Sequence, residues 1–132
     1  MKPELHITAA NIQAAATFLA RKLIANVSEP GVPLKVWGVP RGGVLAAYAL
    51  LAYSPSPGMF QIVDTSGVAD VIMDDLVDTG EERERWKHRL FAVLFDKQPR
   101  LALKTWFVGT SLSPETGWLV FPWEKSDERP TR

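Results

Sequence analysis

Hydrophobic and polar positions alternate in blocks along the chain, and the first block has the spacing of a helix. Its apolar residues recur every three or four positions, at Ile12, Ala15, Ala16, Leu19, Leu23 and Ile24. This spacing places them on one face of an amphipathic helix, and Thr8 is suited to cap its N-terminus. The pattern therefore predicts a helix that begins after Thr8, ends near Val27 and covers an apolar surface.

Two units with the order strand, turn and helix follow. Residues 35–39 are β-branched and aromatic, the turn at 40–43 comes next, and the Ala- and Leu-rich segment 44–52 favours a buried helix. The apolar residues 70–73 are followed by a polar turn and then by charged helix formers at 81–88. The two units predict two parallel strands, each joined to a helix by an unusual turn.

Further apolar segments of strand character lie at 59–64, 90–95 and 105–108. Strands that alternate with helices are typical of the α/β class, with a mostly parallel sheet flanked by helices. A chain of 132 residues leaves room for one domain, which we expect to span residues 1–132. The polar residues 125–132 predict a flexible tail.

Composition and charge exclude several functional classes. Lys and Arg number 15, as do Asp and Glu, so no net field favours nucleic acid or a membrane surface. The longest apolar stretch, residues 44–53, is much shorter than the roughly 20 residues of a membrane helix. The chain has no cysteine and no recognisable secretory signal, so we expect a cytoplasmic protein. His6 and His88 lack the spacing of zinc ligands.

The turn at 40–43 contains a permanent cation and two glycines. In open parallel sheets, ligands bind beyond the carboxyl ends of the strands, where this turn is expected to lie. The guanidinium of Arg41 and the bare backbone of Gly42 and Gly43 can approach an anion such as phosphate closely. A tight strand-to-helix turn that leaves Arg41 in solvent is the alternative interpretation.

The second turn is acidic. Asp74 and Asp75 directly follow an apolar strand, and Asp78 comes three residues after Asp75. Such carboxylates can accept hydrogen bonds from sugar hydroxyls or hold a hydrated Mg²⁺, although a solvated acidic turn would have the same sequence. Thr79 and Gly80 then open a helix, whose free N-terminal amides favour an anion.

Three motifs together resemble one known family. VIMDDLVDTG at 71–80 resembles the signature of the type I phosphoribosyltransferases, and WGVPRGG at 37–43 resembles their pyrophosphate loop. GWLVFPWE at 117–124 is similar to the purine-binding hood of bacterial xanthine-guanine phosphoribosyltransferases. The resemblance covers residues 35 to 124 and implies the type I phosphoribosyltransferase-like α/β fold, with a small C-terminal hood segment at 110–124.

The resemblance also implies an activity. Members of the family transfer the ribose 5-phosphate of phosphoribosyl pyrophosphate to a base, and the hood indicates guanine, xanthine or hypoxanthine, with release of pyrophosphate. It implies Mg²⁺ as cofactor, a role in purine salvage, and a homo-oligomer, since dimers and tetramers are common in the family.

Site residues follow from the same resemblance, motif by motif. Pyrophosphate would contact Arg41, Gly42 and Gly43. Asp74 and Asp75 would face the ribose hydroxyls and Mg²⁺, and Asp78 would act on the incoming base. The 5'-phosphate would lie against Asp78, Thr79, Gly80, Glu81 and Glu82. The base would be held by Lys97, by stacking on Trp118 and by the backbone of Leu119 and Val120. In the alternative interpretation, Trp118, Phe121 and Trp123 close an apolar edge of the core.

Two features depart from the family pattern. Glu81 and Glu82 stand where the family has small, basic or hydroxyl residues, and residues 79–82 match a capping box in which Glu82 would turn back to its own helix. Only 30 residues separate Gly43 from Asp74, so the family's long mobile loop must be reduced. Two alternatives to a transferase therefore stay open: a catalytically reduced protein that binds a nucleotide or base in a regulatory role, or an enzyme that uses a non-phosphorylated ribosyl donor.

Overall fold

The computed structural model describes residues 3–56, 58–101 and 104–124. The strands are β1 (Leu5–His6), β2 (Leu34–Gly38), β3 (Phe60–Ile62), β4 (Val71–Val77), β5 (Phe91–Asp96), β6 (Trp106–Ser111) and β7 (Leu119–Val120). The helices are α1 (Ala9–Val27), α2 (Gly42–Tyr53) and α3 (Glu82–Trp86). Five of the strands form one sheet in the order β3-β2-β4-β5-β6, and β1 pairs with β7.

The predicted parallel sheet is confirmed. Every neighbouring pair of its strands is parallel, with Val36 opposite Val71 and Met73 opposite Ala92. β4 lies between β2 and β5, and the N–H of Val39 donates to the carbonyl of Met73 over 2.8 Å. The carboxyl ends of these three strands therefore lie at one edge of the sheet, where the sequence places its unusual turns.

The two long helices cover one face of the sheet. α1 begins as predicted, because the Thr8 hydroxyl accepts from the Asn11 N–H and the Asn11 side chain accepts in return from the Thr8 N–H. The apolar face of α1, including Leu19 and Leu23, is fully buried with the inner side of α2. This layer forms the larger of the two cores. Because α2 is packed in it, the turn that directly precedes α2 is held in place.

The opposite face of the sheet is covered by the short α3. Trp86 packs there with Trp37, their ring centroids 5.9 Å apart, and with Phe91 and Trp106. The helix predicted over 81–88 has only five residues, Glu82–Trp86. The proposed capping box is wrong, since Glu81 is the N-cap, makes no capping hydrogen bond, and leaves Glu82 at the first helical position rather than the third.

The hood is formed by both ends of the described chain. Leu5 and Leu119 are register partners, and the Ile7 N–H donates to the carbonyl of Val120 over 2.8 Å. Phe121 then anchors the hood on the core beside Phe95. The connection between β3 and β4, where the resemblance implied a reduced mobile loop, contains one turn of 3₁₀ helix, Ser66–Val68. The predicted tail at 125–132 lies outside the described residues.

Within the described residues, no helix combines the length and the hydropathy needed to cross a membrane.

Candidate functional site

The cationic turn and the acidic strand are in direct contact. Gly42 is the first residue of α2, and a Cβ atom placed on it would overlap the carboxylate of Asp75. A Cβ on Gly43 would lie 2.6 Å from the carbonyl oxygen of Met73 and 3.2 Å from Oδ1 of Asp74. Both positions therefore require glycine, because their backbone packs against β4 where a side chain has no room.

The turn itself leaves its cation accessible. Arg41 is exposed, its peptide bond with Pro40 is cis, and it is the N-cap of α2 without a side-chain capping bond. A Cβ on Gly38, at the end of β2, would overlap the backbone of Gly43. The sequence interpretation included Gly38 in the motif at 37–43 but gave it no role, although its place at the end of a strand before a glycine turn is a usable signal.

Asp74 and Asp75 lie within β4, which continues to Val77 instead of ending before them as predicted. Their surroundings differ because successive residues of a strand face opposite sides of the sheet. Asp75 is 1% exposed, while Asp74 is partly exposed and its Oδ1 accepts from the Asp75 N–H over 2.8 Å. Asp74 is therefore the more accessible of the two carboxylates.

The described part of the chain holds no group of three or more His, Cys, Asp or Glu side chains that could bind a metal unaided. Mg²⁺ in nucleotide enzymes commonly takes one or two protein carboxylates and fills its other positions with water and substrate oxygens. Asp74 and Asp75 are hard oxygen donors of this kind. The residues present thus fit a Mg²⁺ that arrives with a phosphorylated substrate.

An ion pair joins the ends of β4 and β5. Nζ of Lys97 lies 2.7 Å from Oδ1 of Asp78, and the side chains are 9% and 25% exposed. The backbone N–H of Lys97 donates to the Val77 carbonyl, and Nε2 of Gln98 donates to the Asp78 carbonyl over 3.1 Å. Since charge-assisted hydrogen bonds are the stronger ones, these contacts fix the position of Asp78 relative to β5.

A cleft of about 560 Å³ opens beside this ion pair. It is lined by Asp78, Thr79, Lys97, Gln98, Pro114, Thr116, Gly117 and Trp118. One acid, one cation, an amide and an indole around one cavity can hold a flat heteroaromatic ring with polar substituents. Gln98 and Thr116 escaped the sequence interpretation, because nothing in their local sequence indicates that they face a cleft.

The hood residues predicted to hold the base separate into two groups. Trp118 lines the cleft, whereas the Leu119 side chain is buried in the core and Val120 lies outside the cleft. The carbonyl of Val120 accepts from Ile7 within the β1–β7 pair. The backbone contacts expected from Leu119 and Val120 stay a prediction.

The segment predicted to hold a 5'-phosphate follows Asp78. Gly80 has a φ of 94°, a conformation that favours glycine, and it turns the chain toward α3. Thr79 and Glu81 are exposed, and Glu82 is partly buried. The segment therefore borders the cleft through Asp78 and Thr79 but has two carboxylates immediately beyond them.

Asp96 is a buried acid that precedes the cleft residues Lys97 and Gln98 in the chain, and the sequence interpretation missed it. It ends β5, and its Oδ1 accepts from the Gln98 N–H over 2.7 Å. Burial raises the pKa of the Asp96 carboxyl above its ordinary value, and the hydrogen bond from Gln98 opposes that shift. An acid at the end of an apolar strand, next to Lys97, is the signal that could have identified it.

The chain matches no family model, and no curated protein sequence is detectably similar to it. Solved structures do resemble it. A purine phosphoribosyltransferase from Pyrococcus horikoshii superposes with a TM-score of 0.62 at 21% identity, over 97% of this chain and 99% of that one. A hypothetical protein from Neisseria gonorrhoeae with bound ppGpp also gives a TM-score of 0.62, at 16% identity, over 96% and 92% of the chains.

A hypoxanthine-guanine phosphoribosyltransferase from Bacillus anthracis is similar over 81% of this chain and 80% of its own, with a TM-score of 0.54 and 18% identity. Likeness at these identities is a likeness of fold. The chain therefore has the α/β fold of the type I phosphoribosyltransferases, as the three sequence motifs implied.

Proposed function

We propose that this protein is a purine phosphoribosyltransferase, which transfers ribose 5-phosphate from phosphoribosyl pyrophosphate to a guanine-, xanthine- or hypoxanthine-type base. The observation that carries the proposal is the contact of Gly42 with Asp75 at the same sheet edge as the cleft of Asp78, Lys97 and Trp118. The same edge of the sheet therefore carries groups that can bind an anion, a sugar and a planar base. The fold it shares with solved purine phosphoribosyltransferases supports this arrangement.

The donor's pyrophosphate would bind at the start of α2. Arg41 supplies an exposed permanent positive charge, and Gly42 and Gly43 follow it with backbone that has no side chain of its own. Donors placed in advance at the leaving group stabilise the negative charge that develops on it, which is a major source of catalysis.

Asp74, with Asp75 behind it, would hold Mg²⁺ and the ribose hydroxyls. When bound, Mg²⁺ would neutralise charge on the pyrophosphate. Asp75 also packs against Gly42, so its second role is to fix the distance between the acidic strand and the anion site.

The base would enter the cleft and stack on Trp118. Lys97 would donate to the exocyclic oxygen of the base, and its side chain, only 9% exposed, already lines the cleft. Asp78 would accept the proton from the ring nitrogen that attacks the sugar. The backbone around Leu119 and Val120 is the proposed contact for the remaining edge of the base.

The reaction exchanges one bond at the anomeric carbon and moves one proton. The ring nitrogen bonds to the anomeric carbon, the bond from that carbon to the pyrophosphate oxygen breaks, and the proton of the ring nitrogen passes to Asp78. A positioned base such as Asp78 contributes typically 10²- to 10⁴-fold to a rate. With only Ser66–Val68 in place of a long loop, the site is less protected from water, and we expect measurable hydrolysis of the donor.

Release of pyrophosphate tests the proposal. Wild-type protein with phosphoribosyl pyrophosphate, Mg²⁺ and each base in turn should release pyrophosphate and form the nucleoside monophosphate. No product with any of the bases would overturn the proposal. We also expect a cytoplasmic homo-oligomer that serves purine salvage.

A second candidate is a regulatory protein that binds a guanine nucleotide without turnover. Two observations favour it: the Neisseria gonorrhoeae structure of the same fold contains ppGpp, and Glu81 and Glu82 follow the predicted phosphate segment. Calorimetry with ppGpp separates the two candidates. Saturable binding together with no pyrophosphate release supports regulation, and turnover excludes it.

An enzyme that uses a non-phosphorylated ribosyl donor is the third candidate. Glu82 would then accept a hydrogen bond from a sugar hydroxyl instead of repelling a phosphate. A comparison of inosine with inosine monophosphate as ligands decides this point, since tighter binding of the monophosphate contradicts a donor without phosphate.

A further inference from the structure

Gln98 is hydrogen-bonded through both its backbone and its side chain. Its backbone N–H donates to the carboxylate of Asp96 over 2.7 Å, and its side-chain Nε2 donates to the backbone carbonyl of Asp78 over 3.1 Å. The residue lines the cleft and is half-buried. Gln98 therefore connects a buried acid at the end of β5 to the main chain of the proposed proton acceptor.

The bond from Gln98 to the Asp78 carbonyl orients a whole peptide unit. Because a trans peptide unit is planar, its C=O and N–H point in opposite directions. A fixed Asp78 carbonyl therefore also sets the direction of the Thr79 N–H, which is the first N–H after Asp78 in the segment proposed for a 5'-phosphate. The carboxylate of Asp78 is held separately by Nζ of Lys97 over 2.7 Å. Two consecutive residues thus orient both the backbone and the carboxylate of Asp78.

The acid that holds Gln98 is not explained by packing. All six residues of β5 are buried, and the five before Asp96 are apolar. Asp96 is 0% exposed, and while its Oδ1 accepts from Gln98, its Oδ2 is buried and has no hydrogen-bond partner within the described residues. A buried carboxylate with one oxygen unpartnered lowers the stability of a fold. The contact that the acid adds at this position is the hydrogen bond to Gln98.

We propose that Asp96 and Gln98 are positioning residues for the transfer reaction. Asp96 holds the backbone of Gln98, and Gln98 holds the Asp78–Thr79 peptide in the orientation that the reaction uses. The inference rests on the proposed function, in which Asp78 accepts the proton of the base. Both positioning residues lie outside the three motifs that resemble the family. A displacement of about 1 Å in a reacting group can lower a rate about 10²-fold, so small movements of Asp78 should be measurable.

The kinetics of Gln98→Met are the first test. Methionine has a similar length but cannot donate to the Asp78 carbonyl, so kcat for pyrophosphate release should fall about ten- to a hundredfold. The KM for the purine should change much less, because an interaction that acts on the transition state lowers kcat. Gln61→Met, on the exposed side of β3, is the matched control and should leave both constants unchanged. A rise in KM with an unchanged kcat would make Gln98 a base contact and overturn the inference.

Variants of Asp96 test the second contact. Asp96→Asn still offers an oxygen to the Gln98 N–H and should keep most of the wild-type kcat. Asp96→Ala offers none, and its kcat should fall toward that of Gln98→Met. Because both residues act through the same contacts, the double variant Asp96→Ala with Gln98→Met should be little slower than Gln98→Met alone. Circular dichroism shows that each variant is folded. Equal losses of kcat in Asp96→Asn and Asp96→Ala would contradict the role of the acceptor.

A measurement without substrate separates this inference from the proposed function. The carbonyl ¹³C resonance of Asp78 in labelled protein reports whether its oxygen accepts a hydrogen bond. Gln98→Met and Asp96→Ala should shift that resonance, and Asp96→Asn should shift it much less. A wild type that releases pyrophosphate, together with a Gln98→Met variant of unchanged kcat and unchanged Asp78 resonance, would overturn the inference alone. A wild type without turnover would overturn the proposed function, and the Asp78 resonance would then still decide whether Gln98 holds Asp78.

Discussion

Lys97 and Asp78 form an ion pair of 2.7 Å that connects the carboxyl ends of β4 and β5 within the candidate base cleft. The pair explains how a nearly buried ammonium group is tolerated beside an open cavity. It also means that the proposed proton acceptor and the proposed base-binding cation hold each other in place, so each will respond to changes in the other.

Replacement of the proposed proton acceptor should reduce turnover. Asp78→Asn keeps the size of the side chain but removes the base, so kcat for pyrophosphate release should fall about 10²- to 10⁴-fold. The affinity for phosphoribosyl pyrophosphate with Mg²⁺, measured by calorimetry, should change much less. A variant with a kcat close to the wild-type value would contradict the role given to Asp78.

The contact between α2 and β4 should be sensitive to a single methyl group. Gly42→Ala places a Cβ in the space of the Asp75 carboxylate, and such overpacking costs about 1–3 kcal/mol of the free energy of unfolding. Gly67→Ala adds the same methyl group in open space and should be neutral or slightly stabilising. Urea denaturation of both variants measures the difference, and equal stabilities would show that Gly42 of α2 does not pack against Asp75 of β4.

The indole of Trp118 should carry much of the affinity for the base. Base–aromatic stacking is worth about 1–3 kcal/mol per base, so Trp118→Ala should raise the KM for the purine by roughly ten- to a hundredfold. Trp118→Phe should recover part of the loss. Trp123→Phe is the control, because Trp123 stacks on Phe121 outside the cleft at a centroid distance of 4.9 Å. An unchanged KM in Trp118→Ala would support the interpretation of Trp118 as a core residue.

The buried Asp96 should make stability depend on pH. Burial raises the pKa of its carboxyl in the folded protein above the ordinary value of 3.8. The folded state therefore binds the proton more tightly than the unfolded state, and this group lowers stability as the pH rises from about the ordinary value through the folded pKa.

Asp96→Asn removes that charge and can still accept the hydrogen bond from Gln98. Its melting temperature should exceed that of the wild type at neutral pH, and the difference should vanish in acid. Asp96→Ala also loses the acceptor for the Gln98 N–H, which should cost about 1–3 kcal/mol. Melting curves across the pH range give both results, and an Asp96→Asn variant with no pH-dependent difference would disprove the effect of the charge.

The two glutamates after Gly80 should weaken binding of a phosphate if one lies beside them. A carboxylate about 4 Å from another negative charge costs about 1 kcal/mol in water and about 4 kcal/mol at an effective dielectric of 20. Glu81→Gln and Glu82→Gln should therefore tighten binding of a nucleoside monophosphate but not of the nucleoside.

Glu84→Gln is the matched control, since Glu84 pairs with Lys87 on the exposed side of α3. Calorimetry with both ligands measures the effect. If Glu82→Gln weakens binding of the nucleoside instead, the non-phosphorylated donor becomes the better interpretation.

Much of the fold could be predicted because its elements have strong local signals. The apolar spacing of α1 and the capping residue Thr8 are properties of neighbouring residues, and the structure confirms both. The order of strands and helices likewise indicated a parallel sheet. The predicted boundaries were less accurate. β4 continues to Val77, because the chain turns only at Gly80. α3 is shorter than expected, and its first helical residue is Glu82.

The candidate site was predictable only where it lies in contiguous motifs. Arg41, Asp74 and Asp78 could be selected because they occur in turns and strand ends with a recognisable pattern. Gln98 and Asp96 could not be selected in this way, because their relation to the cleft depends on how β5 lies beside β4. The pairing of β1 with β7 was missed for the same reason.

The sequence by itself determined the kinds of elements, their order and the chemical groups that follow β2 and β4, because hydrophobic period, turn residues and charge are encoded locally. Tertiary structure alone decided that Gly42 touches Asp75 and that Lys97 pairs with Asp78. Those features arise from packing between segments that are far apart in the chain, and no local pattern specifies the distance between them.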